Sequence, residues 1–152
     1  MNRHPTAIIH PNAEIGSDVE IGPYAVIGEH VKLGNKVKVG SHVVIDGWTE
    51  VGDGSSFFPF SSIGSIPQDL KFGGEETRIK IGKENTFREF ITVNRGTKKG
   101  GGETYIGDHN FFMAYVHIAH DCRIGSNVIM ANAATLAGHI SIGDYAIIGG
   151  LV

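Results

Sequence analysis

One short segment of the chain, residues 116–123, carries two histidines and an aspartate in the run Val-His-Ile-Ala-His-Asp-Cys-Arg. His117 and His120 are three residues apart, and Asp121 follows His120 directly. Because imidazoles ionise near neutral pH, such a side chain can take a proton from a hydroxyl group, and a neighbouring carboxylate fixes its tautomer and strengthens it as a base. The segment therefore indicates general acid–base chemistry.

The rest of the chain follows a six-residue repeat that must position this segment. An aliphatic residue recurs at every sixth position, often followed by glycine, beginning with Ile9, Ile15, Ile21, Ile27, Leu33, Val39, Ile45 and Val51. A period of six fits neither an amphipathic helix nor a simple alternating strand, but it fits short strands joined by turns. We predict an all-β, left-handed parallel β-helix of hexapeptide repeats, with three hexads in each triangular coil and about seven to eight coils.

Residues eighteen positions apart should stack on one another in such a helix. Allowing for one insertion, one predicted column contains only isoleucine: Ile9, Ile27, Ile45, Ile63, Ile81, Ile106, Ile124 and Ile142. The repeat is broken at residues 65–80 and again at residues 98–105. We expect both segments to leave the prism as inserted loops, close to His120 in the stack.

The same spacing predicts the neighbours of His120. Gly138 lies eighteen residues after His120, His139 lies eighteen residues after Asp121, and Arg95 falls one coil below. We expect His120 and Asp121 to point outward and to share one surface patch with these residues. A glycine leaves its backbone N–H open to a ligand, and such a donor can stabilise an oxyanion. Together these groups favour acyl transfer to a hydroxyl group.

Zinc binding is an alternative use of the histidines. His117, His120 and His139 could form a three-histidine set, like that of the hexapeptide β-helix carbonic anhydrases. However, no carboxylate or cysteine cluster accompanies them. We therefore expect no metal.

Composition excludes several other classes of protein. The net charge of −3 argues against nucleic acid as a partner. The single cysteine, Cys122, leaves no intrachain disulfide and suits a reducing compartment. The polar first residues do not form a secretory signal, and no apolar run approaches the roughly 20 residues of a membrane span. We expect one cytoplasmic domain, residues 1–152, with no membrane span.

Several segments resemble, in order and spacing, the N-terminal β-helix of the UDP-N-acetylglucosamine O-acyltransferases, the family that opens lipid A biosynthesis in Gram-negative bacteria. They are Gln68-Asp69-Leu70-Lys71, Asn94-Arg95-Gly96-Thr97, Gly100-Gly101-Gly102, His117-Ile118-Ala119-His120-Asp121-Cys122 and Leu136-Ala137-Gly138-His139. The resemblance covers essentially the whole chain.

That resemblance implies a reaction and a set of roles. An (R)-3-hydroxyacyl chain passes from acyl carrier protein to the 3-hydroxyl of UDP-N-acetylglucosamine. His120 matches the general base, Asp121 the residue that orients it, and Gly138 the oxyanion donor. Substrate contacts are implied for Gln68, Asp69, Lys71, His117 and His139. The family forms homotrimers with sites between subunits, and it needs no metal and no cofactor beyond the phosphopantetheine that arrives on the carrier protein.

Two features depart from the family's pattern. Asn94 stands where a histidine is expected, and the family's chains continue well past Gly149-Gly150 with further coils and a helical domain. We therefore expect a truncated form with weak or no activity. Two alternatives remain: a related hexapeptide transferase that uses acetyl-CoA or acylates an amine, and a non-catalytic trimeric β-helix scaffold.

Overall fold

The computed structural model describes residues 1–152 and consists of very short strands joined by turns. In chain order the strands are β1 Asn2–Arg3, β2 Ile8–Ile9, β3 Glu14–Ile15, β4 Glu20–Ile21, β5 Val26–Ile27, β6 Lys32–Leu33, β7 Lys38–Val39, β8 Val44–Ile45, β9 Trp48–Val51, β10 Ser56–Phe57, β11 Ser62–Ser65, β12 Arg78–Ile81, β13 Thr86–Phe87, β14 Thr92–Asn94, β15 Glu103–Ile106, β16 Phe111–Phe112, β17 His117–Ile118, β18 Arg123–Ile124, β19 Ile129–Met130, β20 Thr135–Leu136, β21 Ser141–Ile142 and β22 Ile147–Ile148. The helix is a 3-10 turn at Lys98–Gly100, and no helix is long and apolar enough to cross a membrane.

Three parallel sheets form the walls of a left-handed β-helix. The first sheet has the order β1-β4-β7-β10-β13-β16-β19-β22, the second β2-β5-β8-β11-β14-β17-β20, and the third β3-β6-β9-β12-β15-β18-β21. Consecutive strands belong to different sheets, so three strands complete one coil. The predicted fold class and number of coils are confirmed.

The interior is a continuous apolar column. Each two-residue strand turns one side chain inward, and together with the small residues at the corners these form a single cluster of 29 buried residues. Phe57, Phe87 and Phe112 stack inside the first sheet, with successive ring centroids 4.8 and 5.0 Å apart. Burying each large apolar side chain contributes about 1.5–3 kcal/mol, and this burial holds such short strands together.

The predicted isoleucine column is wrong above Ile63. Ile63 pairs with Val93, and Ile81 pairs with Val51 on a different sheet. Ile63 and Ile81 are eighteen residues apart where one step between faces takes six, so the loop between them adds twelve residues, or two hexads. Because this excursion is a multiple of six, spacing alone cannot distinguish it from two strands in the wall.

Both inserted segments leave the prism at one corner, the corner between the second and third sheets. The first loop, residues 66–77, joins β11 to β12, and the second loop, residues 95–102, joins β14 to β15 one coil later. The expected loops are therefore present, although the strands resume three residues earlier than expected, at Arg78 and Glu103. Residues 119–122 and 137–140 form the next two turns of the same corner.

Candidate active site

The corner between the second and third sheets brings together four of the predicted site residues. His120 and Asp121 occupy the turn after β17, and Gly138 and His139 occupy the turn after β20, one coil above. The backbone N–H of His139 donates to the carbonyl of His120 at 3.0 Å. The two imidazoles meet edge to face with centroids 5.0 Å apart.

The side chain of His120 is held on two sides. Its Nδ1 lies 2.8 Å from Oδ2 of Asp121, and only 15% of the side chain is exposed. A Cβ built on Gly138 would overlap the imidazole, so a glycine is required there for close approach. Since the ionised carboxylate can only accept, Nδ1 donates the hydrogen and Nε2 keeps its lone pair.

Asp121 lies outside the core cluster, as expected from the outward direction that the repeat predicts, but it is buried and not exposed. Its side chain is only 1% exposed, and its backbone has a left-handed φ of 61°. The second loop folds back over this corner, and the N–H of Thr97 donates to Oδ1 of Asp121 at 2.8 Å. A loop that covers a position is invisible to the six-residue spacing, which reports only the direction of a side chain relative to the wall.

His117 lies beside this pair on the outer face of the second sheet. Its Nδ1 is 2.6 Å from the hydroxyl of Thr92, directly below it in the stack. Partial burial, and to a smaller extent the nearby His120, lower the pKa of His117 below its ordinary value of 6.5. His117 is therefore predominantly uncharged at neutral pH, and one of its ring nitrogens remains for a ligand.

His120, Asp121 and His139 are the residues here that could hold a metal ion, since one ligand atom of each lies within 4.8 Å of the others. His117, which belonged to the possible zinc set, is not in this group. Both oxygens of Asp121 already accept hydrogen bonds from Thr97, and Oδ2 also faces His120. The donors around this carboxylate suit an orienting group for an imidazole better than a metal ligand.

The remaining predicted residues lie on the first loop. Oδ1 of Asp69 accepts the N–H of Lys71 at 2.9 Å, and the carbonyl of Asp69 accepts the N–H of Phe72 at 2.9 Å, which makes a tight turn. Gln68 is exposed. A cavity of about 150 Å³ separates the two loops and is lined by Asp69, Lys71, Phe72, Glu75, Thr97, Lys98 and Lys99. No hydrogen bond or ion pair within the chain joins the first loop to the histidines.

Arg95 lies one coil below His120 in the strand register, as predicted, but its side chain does not join the histidine patch. Its guanidinium lies between the rings of Trp48, at 5.4 Å, and Phe72, at 5.6 Å, and its backbone N–H donates to Ser65. Arg95 therefore anchors the first loop to the prism and is not part of the histidine patch.

Thr97 was also missed as a partner of Asp121. The available signal was its position after Gly96 and directly before the segment that breaks the repeat, because threonines at such positions commonly begin a turn with their hydroxyl.

Comparisons with known proteins identify the family of this chain. The family described as bacterial transferase hexapeptide (six repeats) matches residues 4–35 and 103–138. The acyl-[acyl-carrier-protein]–UDP-N-acetylglucosamine O-acyltransferase of Thermodesulfovibrio yellowstonii is 58% identical over 104 residues, which cover 68% of this chain and 40% of that protein. The corresponding protein of Verminephrobacter eiseniae is 56% identical, over 71% of this chain and 41% of its own length.

Solved structures extend the similarity over almost the whole chain. A crystal structure of a UDP-N-acetylglucosamine acyltransferase matches 99% of this chain and 58% of its own, with 53% identity and a TM-score of 0.98. The acyltransferase from Campylobacter jejuni matches with 47% identity and a TM-score of 0.94, again over 99% of this chain and 58% of its own. The chain thus spans about two fifths to three fifths of the length of these relatives, and it belongs to the UDP-N-acetylglucosamine O-acyltransferase family, corresponding to the hexapeptide-repeat region.

Proposed function

We propose that this region supplies the catalytic corner of an acyltransferase that moves an (R)-3-hydroxyacyl chain from acyl carrier protein to the 3-hydroxyl of UDP-N-acetylglucosamine, the first step of lipid A biosynthesis. The observation that carries the proposal is the contact of His120 with the buried Asp121 on one side and with Gly138 on the other. The names of the relatives support the choice of donor and acceptor.

In this reaction His120 is the general base. Its Nε2 takes the proton of the sugar hydroxyl as the oxygen attacks the thioester carbonyl, and Asp121 stabilises the imidazolium that forms. The N–H of Gly138, which has no hydrogen-bond partner within the chain, donates to the oxyanion. When the C–S bond breaks, the imidazolium returns its proton to the leaving thiolate, so that a thiol and an ester are the products.

Substrate contacts are proposed for the groups around this centre. The ammonium of Lys71 and the exposed amide of Gln68 suit the polar and anionic parts of a nucleotide sugar. The carboxylate of Asp69 can accept hydrogen bonds from the hydroxyl groups of the sugar. Uncharged His117 and half-exposed His139 flank His120 and can contact the acceptor without adding a fixed charge beside the base.

We propose that residues 1–152 form one domain, because a single core cluster runs along the whole prism, and that this domain forms a homotrimer. Ile8, Val26 and Val44 point outward from the lower part of the second sheet, two of them exposed. A column of aromatic rings runs beside them: Tyr24, His42, Phe60, Phe90 and Tyr115, with centroids 4.8–5.3 Å apart.

The outer face of the third sheet carries a different set of residues. Glu14, Lys32, Glu50 and Lys80 alternate in charge there, as expected of a solvated surface. Contact through the second sheet would leave the histidine corner at the edge of the interface, so that a neighbouring subunit could complete the site. The free thiol of Cys122 agrees with a cytoplasmic location.

Turnover of defined substrates tests the function. The chain is assayed alone and fused to the remaining C-terminal part of the Campylobacter jejuni relative, with UDP-N-acetylglucosamine and (R)-3-hydroxyacyl carrier protein. We expect an ester product from the fusion that depends on His120. Transfer only from acetyl-CoA, or only to an amine, would favour the related transferases. No transfer to any acceptor by a folded fusion would favour the scaffold.

A further inference from the structure

The carboxylate of Asp121 is captured at both oxygens by one residue of the second loop. The backbone N–H of Thr97 donates to Oδ1 at 2.8 Å, and the Thr97 hydroxyl donates to Oδ2 at 2.5 Å. Oδ2 also accepts from Nδ1 of His120 at 2.8 Å. Because the Asp121 side chain is 1% exposed, these donors replace water, and an ionised carboxylate needs such replacement when it is buried.

The direction of the Thr97 hydroxyl is fixed by the loop itself. Thr97 caps the 3-10 turn Lys98–Gly100, and the N–H of Gly100 donates to its Oγ1 at 3.2 Å. A hydroxyl has one hydrogen to donate. Since Oγ1 accepts from Gly100 and faces an acceptor-only carboxylate, its own hydrogen points to Asp121.

Gly100 also closes the site against solvent. A Cβ built on Gly100 would overlap the carboxylate of Asp121. The φ of Gly100 is not positive, so the glycine is required by this close approach and not by its backbone conformation. The loop lies directly on the carboxylate at a point where no side chain fits.

The main chain of Asp121 is held from the other side. Its N–H donates to Oγ1 of Thr104 at 2.9 Å, and that hydroxyl donates in turn to the carbonyl of Asn94 at 2.8 Å. The left-handed backbone of Asp121 (φ 61°) recurs at other turns of the prism, such as His139 (φ 64°), so this bond supports a conformation that the repeat already favours. Residues that flank or form the second loop therefore contact both the backbone and the side chain of Asp121.

From this we infer that the second loop holds the carboxylate of Asp121 in place. Thr97 is then a positioning residue that acts through Asp121 on His120. The inference rests on the proposed role of His120 as general base. Orienting Oδ2 toward His120 keeps the hydrogen on Nδ1 and the lone pair on Nε2. In water a neutral imidazole favours the opposite tautomer, with its hydrogen on Nε2. Loss of the Thr97 hydroxyl frees the Asp121 carboxylate to turn away from Nδ1, which weakens the preference for the useful tautomer.

The test measures the His120 tautomer directly, by ¹⁵N NMR of histidine-labelled chain at a pH where the ring is neutral. Thr97→Val removes the hydroxyl at nearly constant volume, Thr97→Ser restores it, and Thr49→Val is the matched control. Thr49 is also a buried threonine at the same corner, and its hydroxyl donates to Asp46 and not to Asp121.

We expect hydrogen on Nδ1 in the unaltered chain, in Thr97→Ser and in Thr49→Val. Thr97→Val should show a mixture with hydrogen on Nε2. In the active fusion, Thr97→Val should lower kcat about 10- to 100-fold, the range that corresponds to one hydrogen bond to a charged group. KM should change little, and Thr97→Ser should recover most of the rate.

Three results would overturn the inference: hydrogen on Nε2 in the unaltered chain, an unchanged tautomer in folded Thr97→Val, or an equal change in Thr49→Val. If Thr97→Val does not fold, the same spectra are recorded for Gly100→Ala. Its added methyl group must displace the carboxylate of Asp121 and so shift the tautomer of His120. None of these spectra requires turnover. A fusion without transferase activity would therefore refute the proposed function. The NMR spectra would still decide whether Thr97 controls the tautomer of His120.

Discussion

His120 is the residue on which the proposed chemistry depends, and it is separable from the fold because it lies outside the core cluster. Replacing His120 with alanine should lower kcat of the active fusion about 10²–10⁴-fold, the usual contribution of a positioned base. The circular dichroism and the melting curve should hardly change. His10→Ala, at an exposed histidine on a distant coil, is the control. A near-normal rate for His120→Ala would exclude it as the base.

His117 should take up its proton at a lower pH than an ordinary histidine does. Burial, followed by the nearby His120, lowers the pKa of His117 below 6.5, so NMR titration should show it still neutral where an ordinary histidine is half protonated. The unfolded chain then binds this proton more readily than the folded one, and stability falls as the pH drops below about 6.5.

His120→Ala offers a specific check on the smaller cause of the shift. Removing the imidazole removes its electrostatic effect and should raise the pKa of His117 part of the way toward 6.5. His10→Ala, on a distant coil, should leave the pKa of His117 unchanged. An unshifted His117 titration in His120→Ala would mean that burial alone accounts for the lowered value.

The decisive elements are the two loops, and each is tied to the corner by a different contact. The first loop depends on the packing of Phe72 against the guanidinium of Arg95. Phe72→Ala should loosen this loop, so that trypsin cleaves after Lys71 several-fold faster, while the melting temperature changes little. Phe58→Ala removes a similar pairing with Arg88 far from the loop and should leave that cleavage rate unchanged. Equal rates in the two variants would show that Phe72 does not anchor the loop.

The whole molecule presents one apolar and one charged wall, which favours assembly through the second sheet. Phe60 and Phe90 stack with centroids 5.3 Å apart and are 51% and 44% exposed. Sedimentation at micromolar concentration should show a trimer, and Phe60→Ser with Phe90→Ser should shift it toward monomer. Lys32→Ser with Lys80→Ser, on the third sheet, should leave it unchanged. A stable monomer of the unaltered chain would contradict the proposed assembly.

Three features of this protein could be predicted from its amino-acid sequence: the fold class, the inward and outward alternation of the strands, and the meeting of His120 with Gly138 and His139. Each of these follows from a local period, because a short strand turns its residues alternately in and out and each coil takes eighteen residues where nothing is inserted. The resemblance of the motifs also led to the correct family.

Two further features could not be predicted from the sequence: how the walls continue past the first loop, and what covers Asp121. The first loop adds two whole hexads, so the six-residue pattern is kept when the chain re-enters the prism. Ile81 nevertheless lies on the third sheet, where it stacks on Val51, and not on the second sheet above Ile63. The burial of Asp121 beneath Thr97 and Gly100, and the packing of Arg95 against Phe72, depend on where loops fold back. These are contacts between coils, which a repeat period does not encode because it fixes the direction of each side chain and not what lies above it.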